Sequence, residues 1–280
     1  MKKILVPTDF SQEAYHAFDI ATQLAHKSGA EVILLNVIEL GRTGNFSATA
    51  DTMNNNIEQI YVLKLMEATH LQMRKLVASN RFPDVVVTEM VDVASIFQKI
   101  RSVVKSELVD LIVMGTKGAS GMNEMLIGSN TEKVVRQADC PVLTVKGEAG
   151  SFDVRSIVFP SNFREESPFT VDVLKYFQQL FDAQVHLVYI NTPTTFGTSR
   201  ESKGRLQDFA NRYGLQNYTL NIHNDAVEED GIVSFANEVD ADLIIMATHG
   251  RSGLAHLLSG SIAEDLVNHV DRPVLTCHIK

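Results

Sequence analysis

The chain repeats itself. Ile4-Leu-Val-Pro-Thr-Asp-Phe10 returns as Ile157-Val-Phe-Pro-Ser-Asn-Phe163, and Ala30-Glu-Val-Ile-Leu-Leu-Asn-Val37 returns as Ala183-Gln-Val-His-Leu-Val-Tyr-Ile190, both 153 positions later. Further on, Asp110-Leu-Ile-Val-Met114 matches Asp242-Leu-Ile-Ile-Met246 and Pro141-Val-Leu-Thr144 matches Pro273-Val-Leu-Thr276, now 132 positions later. A chain of 280 residues built this way is a tandem of two ordinary-sized domains, expected over 1–147 and 152–280. The drop in offset makes the first copy longer in its middle. The polar, aperiodic stretch from Gly41 to Asn56 reads as the exposed loop that accounts for most of the excess, and Gly147-Glu-Ala-Gly-Ser151 reads as the linker.

Within each copy, short apolar runs alternate with helical patterns, the signature of βαβ units and a parallel sheet. Leu5, Val32 to Val37, Val85 to Val87 and Leu111 to Met114 are placed in buried strands. The first helix is the clearest: Ser11 can cap it, Ala14, Ala17, Phe18, Ala21, Leu24 and Ala25 share one face, and Gly29 stands where a left-handed residue ends a helix. Five strands per copy give an α/β fold of two tandem doubly wound domains, Rossmann-like or flavodoxin-like, each with a mainly parallel sheet. In such sheets ligands bind outside the carboxyl ends of the strands where strand order reverses. That rule points to Pro7-Thr8-Asp9 and to the loop from Gly115.

The apolar fraction of 45% is enough for real cores, and no apolar run is long enough to cross a bilayer. The expectation is a cytoplasmic protein with no membrane association. The formal charge of −9, with no basic cluster, speaks against nucleic acid. Cys140 and Cys277 lack metal-knuckle spacing and read as reduced packing residues. His16 near Glu13 and Asp19, and His70 near Glu67, are ordinary helix-surface pairs, so no metal site is expected.

The loop after the fourth strand carries the chemistry. Gly115 and Gly118 admit backbone conformations closed to other residues and let a ligand approach the main chain. Gly128 and Ser129 then open a helix whose free N–H groups suit an anion, with the Ser129 and Thr131 hydroxyls as further donors. Read alone, the glycines could simply turn the chain and Ser129 could simply cap the helix. The second copy, however, keeps the Gly118 to Gly128 spacing as Gly250 to Gly260, followed by Ser261. Loops that merely connect tolerate changes of length.

Gly115-x2-Gly118-x9-Gly128-Ser129, with Val-Pro-Thr-Asp-Phe ending the first strand, resembles the universal stress protein family, and the resemblance covers nearly the whole chain as two successive family domains. What it implies is ATP or another adenine nucleotide lying across the strand ends, with Mg admissible beside it. Asp9 would contact the adenosine; Pro7, Thr8 and Val37 would line the base pocket; Met114, Gly115, Gly118, Gly128, Ser129, Asn130 and Thr131 would hold ribose and phosphates. A weaker second site would use Pro160, Ser161, Asn162, Ile190, Gly250, Gly260 and Ser261. It is weaker because Asn162 replaces Asp9, Ala247 replaces Gly115, and Ile262 and Ala263 replace Asn130 and Thr131. The resemblance also implies pairing through the last strands, Val142 to Val145 and Val274 to Cys277, between the two halves of one chain, or between chains as a homodimer.

No P-loop string, no Gly-x-Gly-x2-Gly after the first strand and no Ser-Gly-Gly pyrophosphate loop is present, and no residue stands out as catalytic. The expectation is a nucleotide-binding, regulatory protein of stress physiology, with at most slow ATP hydrolysis. The alternatives are a nucleotide-free interaction module built from a pseudo-symmetric domain pair, and an ATP-cleaving enzyme of related fold.

Overall fold

The computed structural model describes residues 1–39, 52–116, 128–147, 150–164, 166–249, 263, 266–267 and 270–279. The first half runs β1 (Lys3–Pro7), α1 (Gln12–Ser28), β2 (Glu31–Ile38), α2 (Thr52–Ala78), β3 (Val87–Val93), α3 (Ile96–Ser106), β4 (Leu111–Gly115), α4 (Ser129–Gln137) and β5 (Val142–Val145). The second half runs β6 (Ser156–Pro160), α5 (Pro168–Phe181), β7 (Gln184–Asn191), α6 (Ser199–Tyr213), β8 (Tyr218–Asn224), α7 (Glu228–Glu238), β9 (Leu243–His249) and β10 (Val274–Ile279).

All of these strands lie in one ten-stranded sheet, ordered β3-β2-β1-β4-β5-β10-β9-β6-β7-β8. Every pairing is parallel except β5 with β10, which is antiparallel. Each half is thus a doubly wound α/β unit whose strand order reverses between β1 and β4, or between β6 and β9. Leu143 stands opposite Leu275 in the antiparallel pair, and these two are equivalent positions of the repeat. An approximate two-fold axis therefore passes between them. Thr144 Oγ1 donates to the Val274 carbonyl at 3.1 Å, and Thr276 Oγ1 returns the bond to Val142 at 3.3 Å.

The central strands read as unbroken apolar runs because both sheet faces are covered. On one face a single core contains Ile4, Val6, Phe18 and Leu24 of the first half together with Phe159, Val171, Leu174 and Leu206 of the second. On the other face each half keeps its own core, around Leu5, Ile112 and Met114 beneath α3 and α4, and around Val158, Ile244 and Met246 beneath α7. The linker is tied to α1: Gln23 Nε2 donates to Gly150 O at 3.1 Å and Gln23 Oε1 accepts from Phe152 N at 2.7 Å.

Helix α1 follows its sequence signals. Ser11 accepts from Ala14 N, all six apolar positions are buried, and Gly29 closes the helix at φ 72°. Two expectations need correction. Thr52 to Asn56, read as loop, lies in α2, while 41–51 falls outside the described residues; local propensity is a weak guide where the tertiary context favours a helix. The third strand spans Val87–Val93, later than Val85 to Val87, because this edge strand is only half-buried and carries Thr88, Glu89 and Asp92 among its apolar residues.

Candidate functional site

The β1–α1 turn forms one wall of the first crevice. Thr8 N donates to Leu35 O at 2.8 Å, and the buried Thr8 hydroxyl accepts from Phe10 N at 3.1 Å. Phe10 sits at φ 63°, a left-handed conformation that reverses the chain here. Asp9 is exposed and its Oδ1 accepts from Ser11 N at 3.0 Å, while Ser11 itself caps α1. Asp9 is therefore not the helix cap; its carboxylate stands on the turn at the carboxyl end of β1.

The opposite wall is the β4–α4 junction. An added Cβ on Gly115 would lie 2.7 Å from Glu13 Cβ and 2.9 Å from the Glu13 carbonyl, so this glycine is required by the approach of α1. Gly115 O accepts from Thr131 Oγ1 at 3.0 Å, and Gly128 N donates to Thr116 O at 2.9 Å. The N-terminal turns of α1 and α4 thus converge on Gly115, both at the point where strand order reverses. Gly128, not Ser129, occupies the cap position of α4, and no side chain caps the helix. Ser129 is the exposed first helical residue, Asn130 is half-buried, and Thr131 is buried with its proton directed at Gly115. Glycine at the cap position supplies no side-chain acceptor of its own to the first-turn N–H groups, and N–H groups at a helix start suit an anion.

Pro7 is half-buried at the end of β1, Met114 is buried in the α3/α4 core, and Val37 is half-buried against that core. Beside Val37 in register stands Asp92, whose carboxylate pairs with Lys99 Nζ of α3 at 2.5 Å. The Lys99 ammonium holds the Asp92 carboxyl below its usual range. Gly118 lies outside the described residues.

The second crevice repeats the turn and changes its surroundings. Ser161 N donates to Val188 O, the Ser161 hydroxyl accepts from Phe163 N at 2.8 Å, Phe163 takes φ 56°, and Asn162 Oδ1 accepts from Arg164 N at 2.9 Å. Asn162 therefore reproduces the Asp9 geometry without its charge. Ser161 also bonds Glu166, and Arg205 of α6 donates from Nη1 to Asn162 O at 3.1 Å while its guanidinium lies 4.6 Å over the Tyr189 ring. Pro160 is buried at the strand end. Ile190, read as pocket, is buried in the core beneath α7, so close that a Cβ on Gly231 would meet its Cγ2 at 2.5 Å. Gly231 occupies the position of Lys99. Gly250, Gly260 and Ser261 fall outside the described residues.

Sequence reading missed Asn36, Lys99, Asp92 and Arg205. Each stands on a different element, and no local spacing signals its contact. Cys140 and Cys277 are free and buried, and burial pushes both thiols up to about 12, as packing residues should be. Among the described residues no group of three His, Cys, Asp or Glu is arranged to hold a metal ion, and no helix is long and apolar enough to cross a membrane.

The model of the universal stress protein family matches residues 1–146 and again residues 154–278. The chain belongs to that family. It carries two tandem universal stress protein domains. It is similar to a universal stress protein of Methanocaldococcus jannaschii, 32% identical over 153 residues that cover 52% of this chain and 94% of that protein. A putative universal stress protein of Staphylococcus aureus is 29% identical over 170 residues, 59% of this chain and 96% of that protein. Relatives of this kind correspond to a little over half of the chain. The tandem arrangement has its own parallel in the crystal structure of a universal stress protein from Archaeoglobus fulgidus, which superposes with a TM-score of 0.71 over 99% of this chain and 98% of that one; at 19% identity the likeness speaks for the fold alone.

Proposed function

We propose that the first crevice of this universal stress protein binds ATP or a closely related adenine nucleotide, in a binding and regulatory role with at most slow hydrolysis. The observation that carries the reading is the convergence on Gly115 of the Asp9-bearing α1 turn and the glycine-capped α4 N-terminus. Two oriented helix ends at a topological switch point attract a polyphosphate, and a carboxylate beside them is a natural acceptor for ribose hydroxyls. In this reading Pro7, Thr8 and Val37 line the base pocket, with Gly118, Gly128, Ser129 and Asn130 on the phosphates; Mg accompanies the nucleotide.

The second half supports a different reading of itself. Ile190 is spent on core packing against Gly231, and Asn162 lacks the charge of Asp9. We take this half as the interaction module of the pair, held to the first half through β5 and β10 in place of a homodimer, with working units at 1–147 and 152–280 in a cytoplasmic protein.

The test is to denature the purified protein and analyse what it releases. About one adenine nucleotide per chain is expected, with Asp9→Ala and Gly118→Val releasing none. Absence of bound nucleotide, together with no binding of a fluorescent ATP analogue, overturns the reading. Timed incubation with ATP separates a binder from a hydrolase.

A further inference from the structure

The turn that presents Asp9 is held from below by a buried side chain. Asn36 is 8% exposed on β2, a strand whose neighbouring positions Val32 to Leu35 are all apolar and buried. Its Nδ2 donates to Thr8 O at 2.8 Å. Placing an amide in such a run costs desolvation that leucine would avoid, so the bond to Thr8 has to repay it. Thr8 is also the residue whose hydroxyl holds Phe10 N, and the next residue is Asp9.

The second half makes the comparison. At the position of Asn36 it carries Tyr189, whose hydroxyl bonds the Thr195 carbonyl and whose ring underlies Arg205. Arg205 in turn donates to the carbonyl of Asn162, one residue further along the equivalent turn, and its Nη2 to Ser202 Oγ at 3.3 Å. The same turn is thus braced from the sheet in one half and from helix α6 in the other. Among the described residues, the brace on the Asp9 turn is a neutral amide from the sheet, whereas the brace on the Asn162 turn is a guanidinium from a helix.

We infer that Asn36 is a positioning residue: by holding Thr8 O it fixes the turn that aims the Asp9 carboxylate into the first crevice. Its effect on affinity rests on the nucleotide reading above, whereas its effect on the turn does not. The experiment replaces Asn36 by leucine, which removes the donor and is at home in the core. In the ligand-free protein, amide exchange at Phe10 and Ser11 accelerates about tenfold or more, while the melting temperature holds or rises. Binding of the fluorescent ATP analogue weakens about fivefold or more, and in the Asp9→Asn background the same replacement changes affinity less than about twofold, because the group being aimed is already altered.

Unchanged exchange at Phe10 and Ser11 overturns the inference, as do losses from Asn36→Leu and Asp9→Asn that multiply independently. Should the wild-type protein bind no nucleotide, the nucleotide reading falls and the exchange measurement still decides the role of Asn36. If Asn36→Leu does not fold, Asn36→Thr, too short to reach Thr8 and suited to a strand, gives the same readouts.

Discussion

Gly115 carries a packing constraint that its sequence context did not announce. Its place in a glycine-rich loop suggested a need for unusual dihedrals or for a ligand at the backbone. The structure assigns it to close packing, with the first turn of α1 pressed onto it through Glu13. The second half carries Ala247 there, and its helix α5 starts only at Pro168, where α1 in register starts at Gln12. Pro168 disfavours helical geometry in the residue before it, so α5 begins later than α1 does in register. Gly115→Ala is therefore expected to destabilise the protein by about 1–3 kcal/mol through overpacking. Ala247→Gly should cost less than about 1 kcal/mol, chiefly by loosening the unfolded chain. Urea melts of the two variants decide it; equal costs would mean that α1 yields to the methyl.

Among the elements, the central strands and α1 were legible because their periodicity comes from burial on known faces. The edge elements were not. Strand β3 is half-buried and mixes charged with apolar residues, and α2 extends over 27 residues across a segment of asparagines. The other edge holds a titratable element of its own. His186 of β7 faces Thr219 of β8, with Nδ1 at 2.8 Å from its hydroxyl, and that hydroxyl already accepts from Asn221 Nδ2 at 2.8 Å. Which of the two donates in the His186–Thr219 bond depends on the imidazole tautomer. His223, 3.7 Å from Glu238, also packs against Phe235. Burial pushes His186 below its ordinary 6.5.

The unfolded chain thus takes up a proton near pH 6.5 that the folded chain still refuses. Stability contributed by neutral His186 is complete above that pH and declines as pH falls below it, until the folded group itself titrates. His186→Gln is expected to flatten this decline. Urea midpoints of wild type and variant, compared just above and well below pH 6.5, should converge or cross on the acid side; a constant difference at all pH values would place the effect elsewhere.

Across the whole molecule, the two halves share one core on the α1/α5 face and one junction at Leu143 and Leu275. The hydroxyls of Thr144 and Thr276, 1% exposed each, satisfy carbonyls on the opposing strand. Replacing both by valine keeps shape and strand preference but strands two buried carbonyl bonds, at a cost of about 1 kcal/mol each. Because the core is continuous, the loss should appear in one cooperative transition reported alike by probes in either half. Two separated transitions in the wild-type protein would show that the halves unfold independently.

The duplication, the α/β alternation and the places of the central strands were all written in the order of residue types, because burial and turn chemistry act over a few residues at a time. So were the turn at Thr8 to Phe10 and the start of α4, since a tight turn and a helix start have local requirements. The brace of Asn36 on Thr8, the Lys99–Asp92 pair beside Val37, the loss of Ile190 to the core and the arrival of Arg205 at Asn162 needed the folded chain. Each joins groups tens of residues apart, and only the packing of helices on the sheet brings such groups within reach.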